Sequence, residues 1–326
     1  MTATITPSNW VEFIRREYLE GFIREGGAAI KFCVALEDQT RATTWDAVEL
    51  AAKQLGYIVA KIDASTTKVN LVEQLFFRIA QQIDWQALAE RVIRRLCERE
   101  SYIPPKASQR PSYERVAEQN GINSEIVKIN LERALSQEVA EHPELAKDFR
   151  TAMTQLCLAQ MRGGDDAPLI TQVLSEWLTG RSPTISAVRR NQIFNRITRT
   201  NARRILESLL RWAVMAGSSG TVILLDLTRL AVAKNPRDDR VYYSTSMLYD
   251  TFEVLREFID SADRLTHCLI VVFPALSFVD STSRRGMAIY EALQFRIDDD
   301  VRARELVNPM AALVRVSNEA SEVHPG

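Results

Sequence analysis

Glycine is scarce in this chain, 12 among 326 residues, and none lies between Gly27 and Gly56. That gap removes the usual backbone device for holding a phosphate, a glycine turn between a strand and a helix. Histidine is scarcer still. His142, His267 and His324 show no metal-ligand spacing with one another or with the four widely separated cysteines, so no metal-based chemistry is expected. The cysteines, Cys33, Cys97, Cys157 and Cys268, mostly sit inside apolar runs and read as buried free thiols of a reducing compartment, not as a disulfide framework. No apolar run reaches the length of a membrane span, and "MTATITPSNWVEF" has no charged leader ahead of an apolar core. A cytoplasmic location is the expectation. The 41 basic and 42 acidic residues nearly cancel, at a formal charge of -1. Any contact with nucleic acid must therefore come from a local patch. A Ser/His/Asp triad is excluded for want of a nucleophile elbow.

What is present is an alternation of strands and helices. "SNWVEFIRREYLEGFIREGG" has apolar residues at helical spacing, with Ser8 as the expected N-cap and Gly26 as the stop. The run "AAIKFCVAL" reads as a strand buried on both faces, apolar throughout except at Lys31. A polar turn, the helix "TWDAVELAAKQLG" and the strand "YIVAKIDA" complete a crossover unit of a parallel sheet. Strand character returns at "GTVILLDL", "HCLIVVFPAL" and "AALVRVS". The divisions expected are a first part of the α/β core over 1–100, a helical insertion over 101–180, the second part of the core over 181–316 and a polar tail over 317–326.

The turn after the first strand stands where a P-loop, G-x-x-x-x-G-K-[ST], would lie. Ala35, Thr40, Arg41 and Ala42 fall on its four defining positions, and none matches. Residues bearing a Cβ would have to adopt the positive φ of a phosphate nest, at about 1 kcal/mol or more each. Ala42 cannot ligate magnesium, and Glu37 and Asp38 place negative charge where a triphosphate would lie. Thr40 and Arg41 are thus the remnants of a degenerate loop. In "TVILLDL", Asp226 stands where a magnesium-side carboxylate belongs, and Leu227 replaces the water-activating glutamate. Asp226 is either a Walker B remnant or a carboxylate capping the next turn.

"REYLEGFIREGGAAIKFCVAL", "ITRTNARRILESLLRWAVMAGSSGTVILLDLTRL", "YYSTSMLYDTFEVLREFIDSADRLTHCLIVVF" and "RRGMAIYEALQFRI" together resemble the P-loop ATP-binding proteins of the AAA+ class associated with BREX and related bacterial phage-defence systems, over about 18–316. The resemblance implies an AAA+-like P-loop NTPase core with a parallel sheet, carrying the helical insertion. It also implies ring or filament assembly, ATP-dependent work on DNA, and partners that include a methyltransferase or a nuclease. The chain departs from that pattern at the P-loop and at Leu227, and no C-terminal helical lid is expected after "LVRVSNEASEVHPG". In such assemblies an arginine after the fourth strand reaches a neighbour's ATP site; Arg284, Arg285 and Arg296 are the candidates, with an internal ion pair, for instance from Arg296 to Asp298, Asp299 or Asp300, as the other reading of each.

The segment "SAVRRNQIFNRITRTNARRILESLLRWAVMAG" reads as one long helix, on which Arg189, Arg196, Arg199 and Arg203 fall near one face and could meet phosphates. A solvated face is the alternative. The reading is a catalytically inactive AAA+ ATPase-like structural or regulatory subunit of an anti-phage assembly that handles DNA, needing no cofactor and forming homo- or hetero-oligomers with other defence proteins. Two alternatives stand beside it. One is an active ATPase using ATP and magnesium through an unorthodox loop; the other is a DNA-binding module built on the arginine-rich helix.

Overall fold

The computed structural model describes residues 4–181, 185–298 and 308–318. The chain divides into two compact units, one made of Met1–Ile79 with Ser218–Gly326 and the other of Ala80–Gly217. Among the described residues no helix is long and apolar enough to cross a membrane.

The first unit is built on five parallel strands: β1 Ala28–Ala35, β2 Ile58–Asp63, β3 Thr221–Asp226, β4 Cys268–Phe273 and β5 Leu313–Val316. Their order across the sheet is β2-β3-β4-β1-β5, so two strands separate β1 from β2, the next in sequence. All five apolar runs read as strands are strands; the inner β1, β3 and β4 are largely covered on both faces, whereas β2, at the sheet edge, exposes Lys61 and Asp63. The exception within β1, Lys31, is 4% exposed. Its amine donates to the carbonyls of Ala311, at 3.1 Å, and Met310 at the approach to β5, and lies 4.5 Å from the centre of the Tyr18 ring. A buried cation is tolerated when its donors are met in this way.

Helix α1, Pro7–Phe13, runs on into a π-helical stretch, Ile14–Phe22. Its N-cap is Thr6, not Ser8: Thr6 Oγ1 accepts from the Asn9 amide at 3.4 Å, and Pro7 takes the first helical position. Proline is preorganised for that position and has no N–H to leave unpaired. Helix α2, Asp38–Gln54, ends as expected at Gly56, whose φ of +80° lets the Gly56 amide donate to the Lys53 carbonyl and the Tyr57 amide to that of Ala52, a Schellman closure. At the base of the sheet Gly220 has φ +141°, and a Cβ there would run into the His267 carbonyl. The close approach of the β3 and β4 entrances depends on that glycine. Helix α3, Val72–Ala80, and the helices Thr245–Asp260 and Glu291–Asp298 complete the described α-helices of this unit.

The second unit is helical: α4 Trp85–Arg99, α5 Tyr113–Asn120, α6 Ser124–Leu135, α7 Lys147–Arg162, α8 Ala167–Leu178, α9 Ile185–Arg190 and α10 Ala202–Met215. It is wider than the 101–180 insertion read from composition. On one side α4 joins it, its buried Leu88, Val92, Ile93 and Leu96 packing against α6 and α7, and on the other α9 packs on α8 and α10 on α7. The four cysteines are all buried free thiols.

Candidate nucleotide site

In a parallel α/β sheet, ligands bind outside the carboxyl ends of the strands. Here that edge presents Ala35 at the end of β1, Asp63 at the end of β2 and Asp226 at the end of β3, the last two being register partners. Only Leu36 and Glu37 separate β1 from α2. Thr40, Arg41 and Ala42 therefore lie in the opening turns of a helix and not in a loop. No described residue between Gly26 and Gly56 has a positive φ. The backbone strain expected of a glycine-free nest is thus avoided in the simplest way: the turn is too short for a nest to form.

Glu37 and Asp38 are exposed at the start of α2. Their charge suits the positive end of that helix and opposes a phosphate in the same place. Thr40 is fully buried, with Oγ1 3.4 Å from Glu37 Oε2. Arg41 reaches the opposite wall. Its Nη1 donates to Asp226 Oδ2 at 2.6 Å, and its Nη2 to Asp38 Oδ1 at 3.2 Å. The other Asp226 oxygen, Oδ1, accepts from the Thr228 amide at 2.8 Å and the Thr228 hydroxyl at 2.6 Å. Asp226 is thus the carboxylate that caps the following turn, one of its two readings, and both of its oxygens have donors. Thr228 was not singled out from sequence, although an aspartate two residues ahead of a threonine is a common turn signal. Leu227 is 1% exposed and its amide bonds the Phe273 carbonyl, so the position of the missing glutamate is part of the core.

The three arginines proposed to reach a neighbour differ sharply. Arg285 is engaged: Nε donates to the Leu230 carbonyl at 2.6 Å, Nη2 to the Tyr243 carbonyl at 2.7 Å, and the guanidinium lies 5.8 Å from the Tyr242 ring centre. Arg296 pairs with Asp260, Nη2 to Oδ2 at 2.9 Å, and bonds the Ala292 carbonyl at 2.7 Å. An internal ion pair for Arg296 is therefore present, with Asp260 as its partner; Asp299 and Asp300 lie outside the described residues. Arg284 is exposed and has no ion pair among the described residues.

The long arginine helix is a correction. Arg189 is in the last turn of α9, Arg196 and Arg199 lie in the connection 191–201, and Arg203 is in the first turn of α10, so the four do not share a helix face. The cause is local. Asn201 Oδ1 accepts from the Thr198 amide at 2.8 Å, Asn201 Nδ2 donates to the Arg196 carbonyl at 2.9 Å, and Gln192 has φ +62°. Short polar side chains that bond the backbone compete with the helix ladder.

A family model described as "BREX system ATP-binding protein BrxC/D" matches residues 22–322. No curated protein and no solved structure matches the chain.

Proposed function

Because the chain belongs to the BREX system ATP-binding protein family, a phage-defence system, we propose that it serves that system as a subunit whose nucleotide site does no chemistry. One observation carries the reading: the Arg41–Asp226 ion pair of 2.6 Å fills the place between helix and strand where the lysine, the magnesium and the terminal phosphates of a working site would meet. The residues at that edge do not suit ATP with magnesium. The turn offers no nest, the carboxylate that would position the metal has its oxygens occupied, and a leucine stands where water would be activated. The pair supplies internally the positive charge that a metal would otherwise bring to Asp226.

An AAA+-like core without turnover retains the surfaces on which neighbours dock, and this supports a structural or regulatory role beside other proteins of the defence system, in an assembly acting on DNA. Arg284, exposed past the fourth strand, is the arginine able to reach a neighbour's site, since Arg285 and Arg296 are committed internally. The active-ATPase alternative needs Arg41 to turn from Asp226 toward phosphate. A phosphate-release assay on the purified chain tests the proposal. The outcome expected is a rate no higher than that of the Asp226→Ala variant; ATP turnover that disappears in that variant would refute it.

A further inference from the structure

Within the helical unit, α7, α10 and the connection 191–201 enclose an open cleft of about 730 Å³. Its lining is cationic: Lys147, Arg150, Arg196 and Arg204 against the single carboxylate of Asp148. Asp148 is partly occupied, accepting from Asn195 Nδ2 at 2.8 Å, and Arg204 is 3.0 Å from Glu207. Lys147 and Arg196 are exposed and have no ion pair among the described residues; the same holds for Arg199, three residues past Arg196. Thr198, Thr200 and Asn201 complete the wall, the two hydroxyls bonded to each other at 2.9 Å and the Asn201 amide nitrogen to the Arg196 carbonyl at 2.9 Å. Next to Asn195 in the chain, Phe194 leaves 62% of its surface in water, in a segment whose other apolar residues, Ile193 and Ile197, are buried.

Exposed arginines without an ion pair among the described residues also occur outside the cleft, at Arg24 and Arg91; what sets Lys147 and Arg196 apart is that they converge on one concavity. Here the polar groups are all donors except Asp148 and the amide and hydroxyl oxygens, and they line a trough instead of a convex surface. Repeated anionic groups along a flexible or helical polymer match such a lining: lysine and arginine neutralise phosphates, and the threonine hydroxyl that accepts from its neighbour keeps its own hydrogen for a phosphate oxygen.

We infer that this cleft is a nucleic-acid backbone site, and that it is where the helical unit meets DNA. The choice of DNA as the polyanion rests on the proposed role in an assembly that acts on DNA; the cleft itself is independent of the nucleotide edge. The contacts are to phosphate and carry no base code. Two phosphate contacts, at Lys147 and Arg196, give a salt slope of about -1.8 in log–log terms, which is a loss of roughly 10-fold in affinity for a fourfold rise in salt.

The experiment is fluorescence anisotropy of a labelled duplex DNA with the full chain, at two potassium chloride concentrations a factor of four apart. Four proteins are compared: wild type, Lys147→Glu with Arg196→Glu, Arg196→Ala with Arg199→Ala, and Arg16→Glu with Lys234→Glu on the α/β unit as a control with the same net charge as the charge-reversal variant, with thermal melts to show that each is folded. The inference predicts salt-dependent binding by wild type and control, a loss of tenfold or more in the charge-reversal variant, and a smaller loss in the alanine variant. It is overturned by no binding at the lower salt, by equal binding of all four folded proteins, or by polyglutamate competing as well as DNA does. None of these results bears on ATP, so failure here and failure of the inactive-site proposal are told apart.

Discussion

Replacing Arg41 by alanine removes the guanidinium from Asp226 and leaves the carboxylate with only Thr228. Two opposite charges about 4 Å apart attract by ~4 kcal/mol at the effective dielectric of a protein surface. The Arg41 and Asp226 side chains are 25% and 22% exposed, so solvent screens the pair and offsets part of that figure, as does the entropy of holding a long side chain. Because Asp226 keeps its two Thr228 donors, the cost of stranding it is limited as well. The net loss expected is about 1–2 kcal/mol, or roughly a 3–6 °C fall in the melting midpoint of a unit this size. The assay is a double-mutant cycle by thermal or urea unfolding with Arg41→Ala, Asp226→Asn and the pair, in which the coupling isolates the interaction. A coupling below about 0.3 kcal/mol, within the additivity expected of independent sites, would refute the reasoning, since it would mean that the guanidinium does not hold the carboxylate in solution. Arg41→Ala is not expected to create ATP binding, because α2 still begins at Asp38 and the turn still lacks a nest.

The neighbouring arginines separate structure from assembly. Arg285→Ala should destabilise the protein by about 2 kcal/mol, through loss of charged bonds to the Leu230 and Tyr243 carbonyls, whereas Arg284→Ala should leave the melt unchanged and lower the ATPase rate of a partner subunit reconstituted with it. Arg256, with help from Tyr290, holds the Glu253 carboxyl down to about 2; a carboxyl depressed in the folded state stabilises it above the ordinary range near 4.3 and loses that contribution as pH falls toward 2. The acid limb of a melting-point profile should therefore be shallower in Glu253→Gln, and an unchanged limb would contradict this. Burial pushes the Cys97 and Cys268 thiols up to about 12 and raises Cys33 and Cys157 as well, so a disulfide reagent should label none of the four in the folded protein and all four after unfolding.

The five strands were legible because long apolar runs admit few other fates. Their order was not, since a strand buried on both faces carries no mark of its neighbours. The start of α2 was set two residues after β1 by a turn with no glycine to lengthen it, and that consequence could have been drawn from the glycine gap itself. The Arg41–Asp38 pair has the i,i+3 spacing of a helix and was readable. The decisive Arg41–Asp226 pair joins residues 185 apart in sequence and depends on the tertiary fold. The broken arginine helix failed on a signal that was present: Asn191, Asn195, Thr198, Thr200 and Asn201 crowd a stretch whose apolar period still looks helical. Reading it as continuous put Arg196 and Arg199 on a helix face, when both lie in an irregular connection and Arg196 lines a cleft.

A strand edge closed by the Arg41–Asp226 pair should not bind nucleotide. Isothermal titration of the purified chain with ATP and magnesium should give no heat beyond dilution, for wild type and for Arg41→Ala alike. Saturable binding by the wild type that is lost in Arg41→Ala would contradict the account, because it would show that Arg41 holds phosphate and not Asp226.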